Sequence, residues 1–512
     1  MRTQSLWTDL RRLRTLMPAG ARRLRSAALA AGMALLVSAC STARPWINSP
    51  IGDGVPSQAS SAQTVQLVQV ASGEAAPSLV AAVTLSGGGA RAAAFGLGVL
   101  RELKATGFEW EGRDTTLLDE VGLISGVSGG SVLATYYAAF GDETFTRFEH
   151  DFLLQDFQAG LIAQAFSPRS LYRTSSPWYG RSNVLADKLD TLYRGRTFAD
   201  LRARPDGPRL LVTATDLTTG APFEFSPQQF ALICSDLDSV PLSYAVAASS
   251  AVPLLLSPVT MRNYAGTCPE SRQVAAAALD DSNLQARLLK ASAQSYLDRE
   301  ERPYLHLVDG GLVDNLGVRG LLVRAVAAGT LDATFQHLPA GSVRKIVLVS
   351  VNSERDIGAR IDQSDAVPGL GQVLNALIFG AGARATGETL AAMSDSARHW
   401  SDELAAVRGK QGSPFAADAQ IHVISVSLRD LEDDGLRGQL LQVPTALTIL
   451  PWQVRRLQEA GSAALRASPE FQRLRADLAG APKEEPVPLP PVRHVQASMM
   501  VKASAEIGGL NR

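Results

Sequence analysis

Three short stretches of this sequence combine residue types that can carry out acyl-transfer chemistry. In Gly126-Val127-Ser128-Gly129-Gly130 a serine hydroxyl sits at the apex of a glycine-rich turn. An apolar run, Val121 to Ile124, precedes it and another, Val132 to Phe140, follows it. Strand, turn and helix in that order make a nucleophile elbow. Its hydroxyl stands at a helix N-terminus, where unpaired N–H groups and the helix dipole favour developing negative charge. Gly126 and Gly130 answer to the crowding of so sharp a turn. The second stretch is Ser86-Gly87-Gly88-Gly89-Ala90-Arg91-Ala92. The successive N–H groups of Gly87, Gly88, Gly89 and Ala90 could converge on one oxygen as an oxyanion hole. Arg91 either adds charge there or pairs with a carboxylate. The third stretch, Asp309-Gly310-Gly311, holds a carboxylate on a Gly-Gly turn at a strand's end. Such an aspartate can act as a base, or can be an ordinary turn or capping residue. Asp314 is the fallback acid, and its position suits capping the next helix.

These groups can meet only if the elements around them place them together. Leu79–Leu85 reads as a buried strand, followed by a helix from about Ala92 to Lys104. Gly87-x-Gly89-x-x-Ala92, with Glu109 or Glu111 beyond it, also fits a dinucleotide fingerprint. The serine elbow one βαβ unit later favours the oxyanion reading. Parallel strands bring both loops out side by side at their carboxyl ends, and a nucleotide site has no use for an exposed serine there. Residues 142–205 read as helical, with Phe145, Phe148, Phe152, Phe157 and Phe166 as core aromatics, or as a wall over an acyl site with Trp178 and Tyr179 near a membrane interface. Arg209–Asp216 reads as a strand with Ala221–Phe225 as its hairpin partner, and Ser239–Ser249 as a small-residue helix. Residues 270–302 read as a helical insertion, Tyr304–Val308 as a strand, and Val318–Ala328 as a helix. Further strands are expected at Arg344–Val351 and Gln420–Leu428, and helices over 367–409, 449–466 and 469–479. No internal repeat is present.

The chain has 512 residues, 46% of them hydrophobic and 19% charged, with a formal net charge of −1. Seven arginines and one aspartate fall in residues 1–26, so the remainder is acidic and offers no nucleic-acid surface. That basic start precedes a short apolar run, Ala27 to Val37, too short for a membrane span of about 20 residues. Leu36-Val37-Ser38-Ala39-Cys40 resembles a bacterial lipobox. The resemblance implies a signal peptide over 1–39, lipidation of Cys40, and a chain held in the bacterial cell envelope. Ser41 in place of Asp implies the outer membrane, facing the periplasm. An ordinary signal peptide or an uncleaved anchor is the alternative, and translation starts at Met1 or Met17. Residues 40–78, rich in Ser, Ala, Gln, Pro and Gly, read as a tether, with Val65, Leu67, Val68 and Val70 as a short edge strand. Of three cysteines, Cys234 and Cys268 remain as an even pair in an oxidising compartment, which favours a disulfide over two buried thiols. The tail, 481–512, opens Pro-rich.

Taken in order, Gly87-Gly88-Gly89-Ala90-Arg91, Gly126-Val127-Ser128-Gly129-Gly130 and Asp309-Gly310-Gly311 resemble the marks of the patatin-like phospholipase family. Ala248-Ser249-Ser250-Ala251-Val252-Pro253 is similar to a fourth. Ala92 departs from the family's usual glycine. The resemblance covers about residues 79–330. It implies a three-layer α/β/α patatin-like fold with a mainly parallel central sheet and helical insertions, a catalytic domain over 79–330, and a Ser128–Asp309 dyad without histidine. Residues 331–480 are then expected to complete the same domain. The implied activity is hydrolysis of phospholipids, lysophospholipids or other fatty-acyl esters, with no cofactor and no metal. Acyl transfer by the same dyad, or a non-catalytic envelope lipoprotein, are the alternatives. Protein partners are not indicated. A Ser-His-Asp triad is the competing chemistry; His306 is the outside candidate, and His337, His399 and His422 follow Asp309 in the order such a triad expects.

Overall fold

The computed structural model describes residues 42–52, 77–204, 207–269, 283–355, 361–376 and 380–480. Cys40, the strand expected around Val65 to Val70 and the Pro-rich tail lie outside the described residues. In chain order, β1 (Leu79–Leu85) leads into α1 (Gly89–Ala105). A hairpin of β2 (Gly107–Trp110) and β3 (Arg113–Thr116) leads to β4 (Val121–Gly126) and α2 (Gly129–Phe140). The helical stretch that follows contains α3 (Phe157–Ala165), α4 (Pro168–Thr174) and α5 (Arg181–Tyr193). Next come β5 (Arg209–Asp216), β6 (Pro222–Glu224), α6 (Leu242–Ser249) and β7 (Val259–Arg262). After them are α7 (Leu284–Leu297), β8 (Tyr304–Val308), α8 (Arg319–Ala327) and β9 (Val343–Asn352). The chain continues with α9 (Ala381–Val407), β10 (Phe415–Ser427), α10 (Pro451–Ala467) and α11 (Pro469–Leu478).

The sheet has the order β10-β9-β1-β4-β5-β8-β7, with β6 beside β5. From β10 to β5 every pair is parallel. Strands buried on both faces must read as continuous apolar runs, and β1, β4 and β9 do so. β1 shows how the two faces divide. Leu79, Ala81 and Val83 join one large core with α1, α2 and α10. Val80 packs with Ile346 and Ile421 against Phe335, Trp400 and Leu404 on the other side. The result is a three-layer α/β/α arrangement with a mostly parallel sheet. β9 pairs with β1 and β10 with β9, so Val343–Asn352 and Phe415–Ser427 share one sheet with the N-terminal strands.

Two findings depart from the sequence reading. First, residues 42–52, read from composition as tether, lie on the folded body. Asn48 is 1% exposed and its amide bonds Ser235 Oγ at 2.9 Å and the Arg262 carbonyl at 2.8 Å. Ile51 N–H donates to the Cys234 carbonyl at 3.0 Å. A single asparagine that can satisfy both its donor and its acceptor in a buried groove overrides a locally polar composition. Second, β8 is antiparallel to β5, with Val308 opposite Thr215 and Leu307 opposite Asp216. β8 therefore runs towards the level of the elbow from the far end of β5, which extends past β4: Gly126, the last residue of β4, pairs with Val212.

Candidate active site

The site is built where β1, β4 and β8 end. Ser128 follows β4 by two residues and holds φ 49°, ψ −122°, a conformation rarely taken by a residue with a side chain. α2 starts at once behind it. The turn is held from three sides. Val127 N–H donates to the Leu85 carbonyl at 3.1 Å. The Ser128 carbonyl accepts from Ser131 Oγ at 2.6 Å. Ser128 N–H donates to Ser249 Oγ at 2.8 Å, and Ser249 Oγ donates onward to the Thr213 carbonyl at 2.7 Å. Gly130 must be glycine, because a Cβ there would overlap the backbone carbonyls of Leu85 and Ser86. Gly126 is packed as tightly against Ser131.

Asp309 reaches the same point from β8. Its N–H donates to the Ala251 carbonyl at 3.0 Å, and its carbonyl accepts from Thr215 Oγ1 at 2.9 Å. Gly310 lies on the Thr213 carbonyl, where a Cβ would overlap it, and Gly311 N–H donates to Asp309 Oδ1 at 2.8 Å. Burial pushes the Asp309 carboxyl up to about 6, against the opposing pull of the Gly311 N–H and of a hydrogen bond from the Ser128 hydroxyl. Ser128 and Asp309 are 8% and 7% exposed and line one cavity of about 80 Å³, with Gly87, Gly88 and Arg91.

The glycine loop divides the four amides of the sequence reading into two pairs. Gly87 N–H donates to the Asn315 carbonyl at 2.9 Å and Ala90 N–H to the Ala446 carbonyl at 2.7 Å, so both are engaged. Gly88 (φ 144°) and Gly89 (φ 62°) take the left-handed backbone region, and among the described residues neither N–H has a backbone acceptor. Arg91 pairs with no carboxylate among the described residues. Its Nε donates to the Ser353 carbonyl at 2.8 Å and its Nη1 to the Val443 carbonyl at 2.6 Å. Burial, then the neighbouring Arg355, lower its guanidinium to about 9, and Glu354 opposes them. Arg91 thus ties the loop to the segments after β9 and before α10 while leaving its charge behind Gly88.

The remaining sequence candidates fall elsewhere. Asp314, also raised to about 6 by burial, accepts the Arg319 N–H at 2.8 Å and caps α8. His306 points off the opposite face of β8 from Leu305 and Leu307 and bonds Thr260 Oγ1 at 3.0 Å. His422 meets Asp477 at 3.2 Å. Neither, nor any other histidine among the described residues, lines the cavity. Tyr179 is buried and bonds Asp187 at 2.6 Å, so of the two aromatics proposed near an interface only Trp178 is exposed. Cys234 and Cys268 form a disulfide under the 42–52 segment.

Two site residues were not singled out from sequence. Ser249 stood in the quoted Ala-Ser-x-Ala-x-Pro stretch, yet nothing local showed that its hydroxyl would hold the elbow. Asn315 sets its side chain against Gly87 and Gly311 inside the cavity. Only its closeness to Asp309 in sequence could have drawn attention to it.

No curated protein matches the chain in sequence. Among solved structures, it is similar to human GIVD cytosolic phospholipase A2, at 14% identity and TM-score 0.40, over 78% of this chain and 62% of that one. The chain thus spans less than two thirds of the human protein. It is also similar to VipD from Legionella pneumophila, at 12% identity and TM-score 0.30, over 81% of this chain and 69% of that one. The family model described as patatin-like phospholipase matches residues 83–322, from within β1 to within α8, and so encloses the glycine loop, the elbow and Asp309. The chain carries, over residues 83–322, a domain of the patatin-like phospholipase family.

Proposed function

We propose that this protein is a serine acyl hydrolase of lipid esters, working through a Ser128–Asp309 dyad. One observation carries the reading: a strained, buried serine and a buried carboxylate line one cavity, beside two glycine amides that have no backbone acceptor among the described residues. Ser128 Oγ attacks the ester carbonyl carbon as Asp309 takes its proton. The tetrahedral oxyanion is met by the amides of Gly88 and Gly89, with the buried Arg91 charge behind them. Asp309 returns the proton to the departing alcohol, leaving an acyl-Ser128 ester. Water then attacks that ester, Asp309 takes its proton, and Ser128 regains a proton as the fatty acid leaves. A carboxylate raised to about 6 suits this work, being ionised at neutral pH yet basic enough to take a proton.

The lipobox-like Leu36-Val37-Ser38-Ala39-Cys40 supports a lipid anchor on Cys40 in the bacterial envelope, so that enzyme and substrate share one membrane. Lipid degradation is the role that follows. The test compares the wild type with Ser128→Ala and Asp309→Asn on a chromogenic fatty-acyl ester, together with fluorophosphonate labelling. Loss of hydrolysis in both variants, with the label on Ser128 alone, is expected. Equal rates in all three proteins would refute the dyad. Release of a transferred acyl product in the presence of an added alcohol would reassign it as an acyltransferase.

A further inference from the structure

We propose that the face carrying Trp178 and Leu254-Leu255 docks on an anionic lipid bilayer, with residues 42–50 fixing the chain before Ala43 to that same face. The proposal rests on the lipid-ester reading of Ser128 and supplies its route of approach. Val252 lines the cavity, and the chain leaves it directly into Leu254 and Leu255, which are 58% and 65% exposed. Leu254 is held at φ 73°, its carbonyl accepting from Arg181 Nη2 at 2.7 Å. A leucine locked in the left-handed region with its side chain in water is a structural cost without a folding return, the pattern expected of a contact surface.

The neighbouring element continues the surface. The start of α5 bonds Ser257, and the turn before it carries Trp178, 45% exposed. Phe166, just after α3, and Tyr172 in α4 are 71% and 58% exposed. Charge selects the partner. Residues 157–181 contain three arginines and no acid, in a chain whose bases and acids number 49 and 50. Arg169 and Arg181 are exposed. Apolar and aromatic side chains interleaved with arginine match the boundary of a membrane with anionic headgroups, where rings and aliphatic groups enter and guanidinium groups meet phosphate.

Residues 42–50 orient the molecule. The Ala43 carbonyl accepts from Ser176 Oγ at 2.7 Å, and the Arg44 guanidinium lies 3.3 Å over the Trp178 ring. Trp46 packs edge-on to Tyr244, and Asn48 is pinned to Ser235 and Arg262. Two residues separate Cys40 from Ala43, three steps along the chain and a reach of at most about 11 Å when extended. Any acyl group on Cys40 therefore enters the membrane beside Trp178, and the mouth of the Ser128 cavity is held towards the bilayer rather than swung on a long leash.

The test uses the mature chain, residues 40–512, with Cys40→Ser, so that docking is read without the lipid anchor or the basic, apolar leader. Sedimentation with phosphatidylglycerol–phosphatidylcholine vesicles is compared with phosphatidylcholine alone, and brominated lipid reports contact through the tryptophan quenching that Trp178→Phe removes. The wild-type face should bind the anionic vesicles and be quenched. Leu254→Ser with Leu255→Ser should weaken binding at least about tenfold, since even one buried leucine is worth that much. The same variant should keep wild-type rates on a soluble short-chain ester. Phe166→Ser with Tyr172→Ser should weaken vesicle binding in the same direction and guards against a misfolded first variant. Unchanged vesicle affinity in both would overturn the proposal, as would a solution dimer that both variants dissociate. A wild type that cleaves soluble ester yet ignores vesicles sinks the docking surface alone. One that binds vesicles through this face yet cleaves no ester sinks the hydrolase reading alone.

Discussion

Replacing Ser249 by alanine removes the one side chain that holds the elbow from behind. Ser249 Oγ accepts the Ser128 N–H at 2.8 Å and donates to the Thr213 carbonyl at 2.7 Å, and Ser249 is 0% exposed. The substitution leaves a buried N–H without a partner and takes one donor from a buried carbonyl. An orphaned buried group costs about 1–3 kcal/mol, so the fold should lose roughly 2–4 kcal/mol. The cavity left by one oxygen adds little. The same N–H bond steadies Ser128 at φ 49°, and relaxation of that angle would swing the hydroxyl away from Asp309. A misplacement of about 1 Å costs on the order of a hundredfold in rate. Urea unfolding and steady-state kinetics on a soluble ester measure the two effects. The expected result is a lower midpoint with an unchanged slope, a kcat reduced by ten- to a hundredfold, and KM nearly constant, because Ser249 does not line the cavity. Native stability together with native kcat would refute the assignment of Ser249 as the support of the elbow.

Activity should rise with pH through about 6, as the Asp309 carboxyl ionises, and a rate independent of pH from 5 to 8 would contradict its role as base. Stability should run the other way. Asp309 and Asp314 have folded values raised above the unfolded carboxyl, so their contribution is whole below about 4 and is lost as pH rises to about 6. Asp309→Asn should therefore unfold at higher denaturant than the wild type at pH 8, by about 3 kcal/mol, with the gap closing near pH 4. Gly130→Ala drives a methyl into the Leu85 and Ser86 carbonyls and should abolish hydrolysis, with a fall in melting temperature; an active, stable variant would contradict the packing of the elbow on β1. Loss of the Cys234–Cys268 bridge, with a separation of 34 residues, should cost about 3–4 kcal/mol in chain entropy, read by chemical unfolding with and without reductant.

The elements next to the chemistry were legible because their signals are local. β1 and β4 are apolar runs that end at glycine clusters, and the glycines mark where two backbones approach too closely for a Cβ. Asp309 was legible as a candidate because a carboxylate on a Gly-Gly turn after a strand can serve as a base, although the same residues equally suit a turn or cap. The direction of β8 was not. A strand's apolar alternation is the same whether its neighbour runs with it or against it, and only the pairing of Val308 with Thr215 distinguishes the two. Composition also misjudged residues 42–52, since a segment with few large apolar residues can be held by a handful of well-placed polar contacts, as Asn48 is.

What the sequence by itself determined about this protein is therefore the set of candidate groups: a serine at a turn, glycines to admit it, and an aspartate after a later strand. Their residue types and local spacing suffice, because backbone strain and steric crowding act over a few residues. The tertiary structure alone decided which of those groups are free to act. Gly87 and Ala90 spend their amides on Asn315 and Ala446, residues far along the chain, while those of Gly88 and Gly89 have no backbone acceptor among the described residues. Ser249 and Ala251, from one motif, hold the elbow and the aspartate together. Hydrogen bonds across more than a hundred residues, and the burial that raises Asp309, exist only once the sheet has closed.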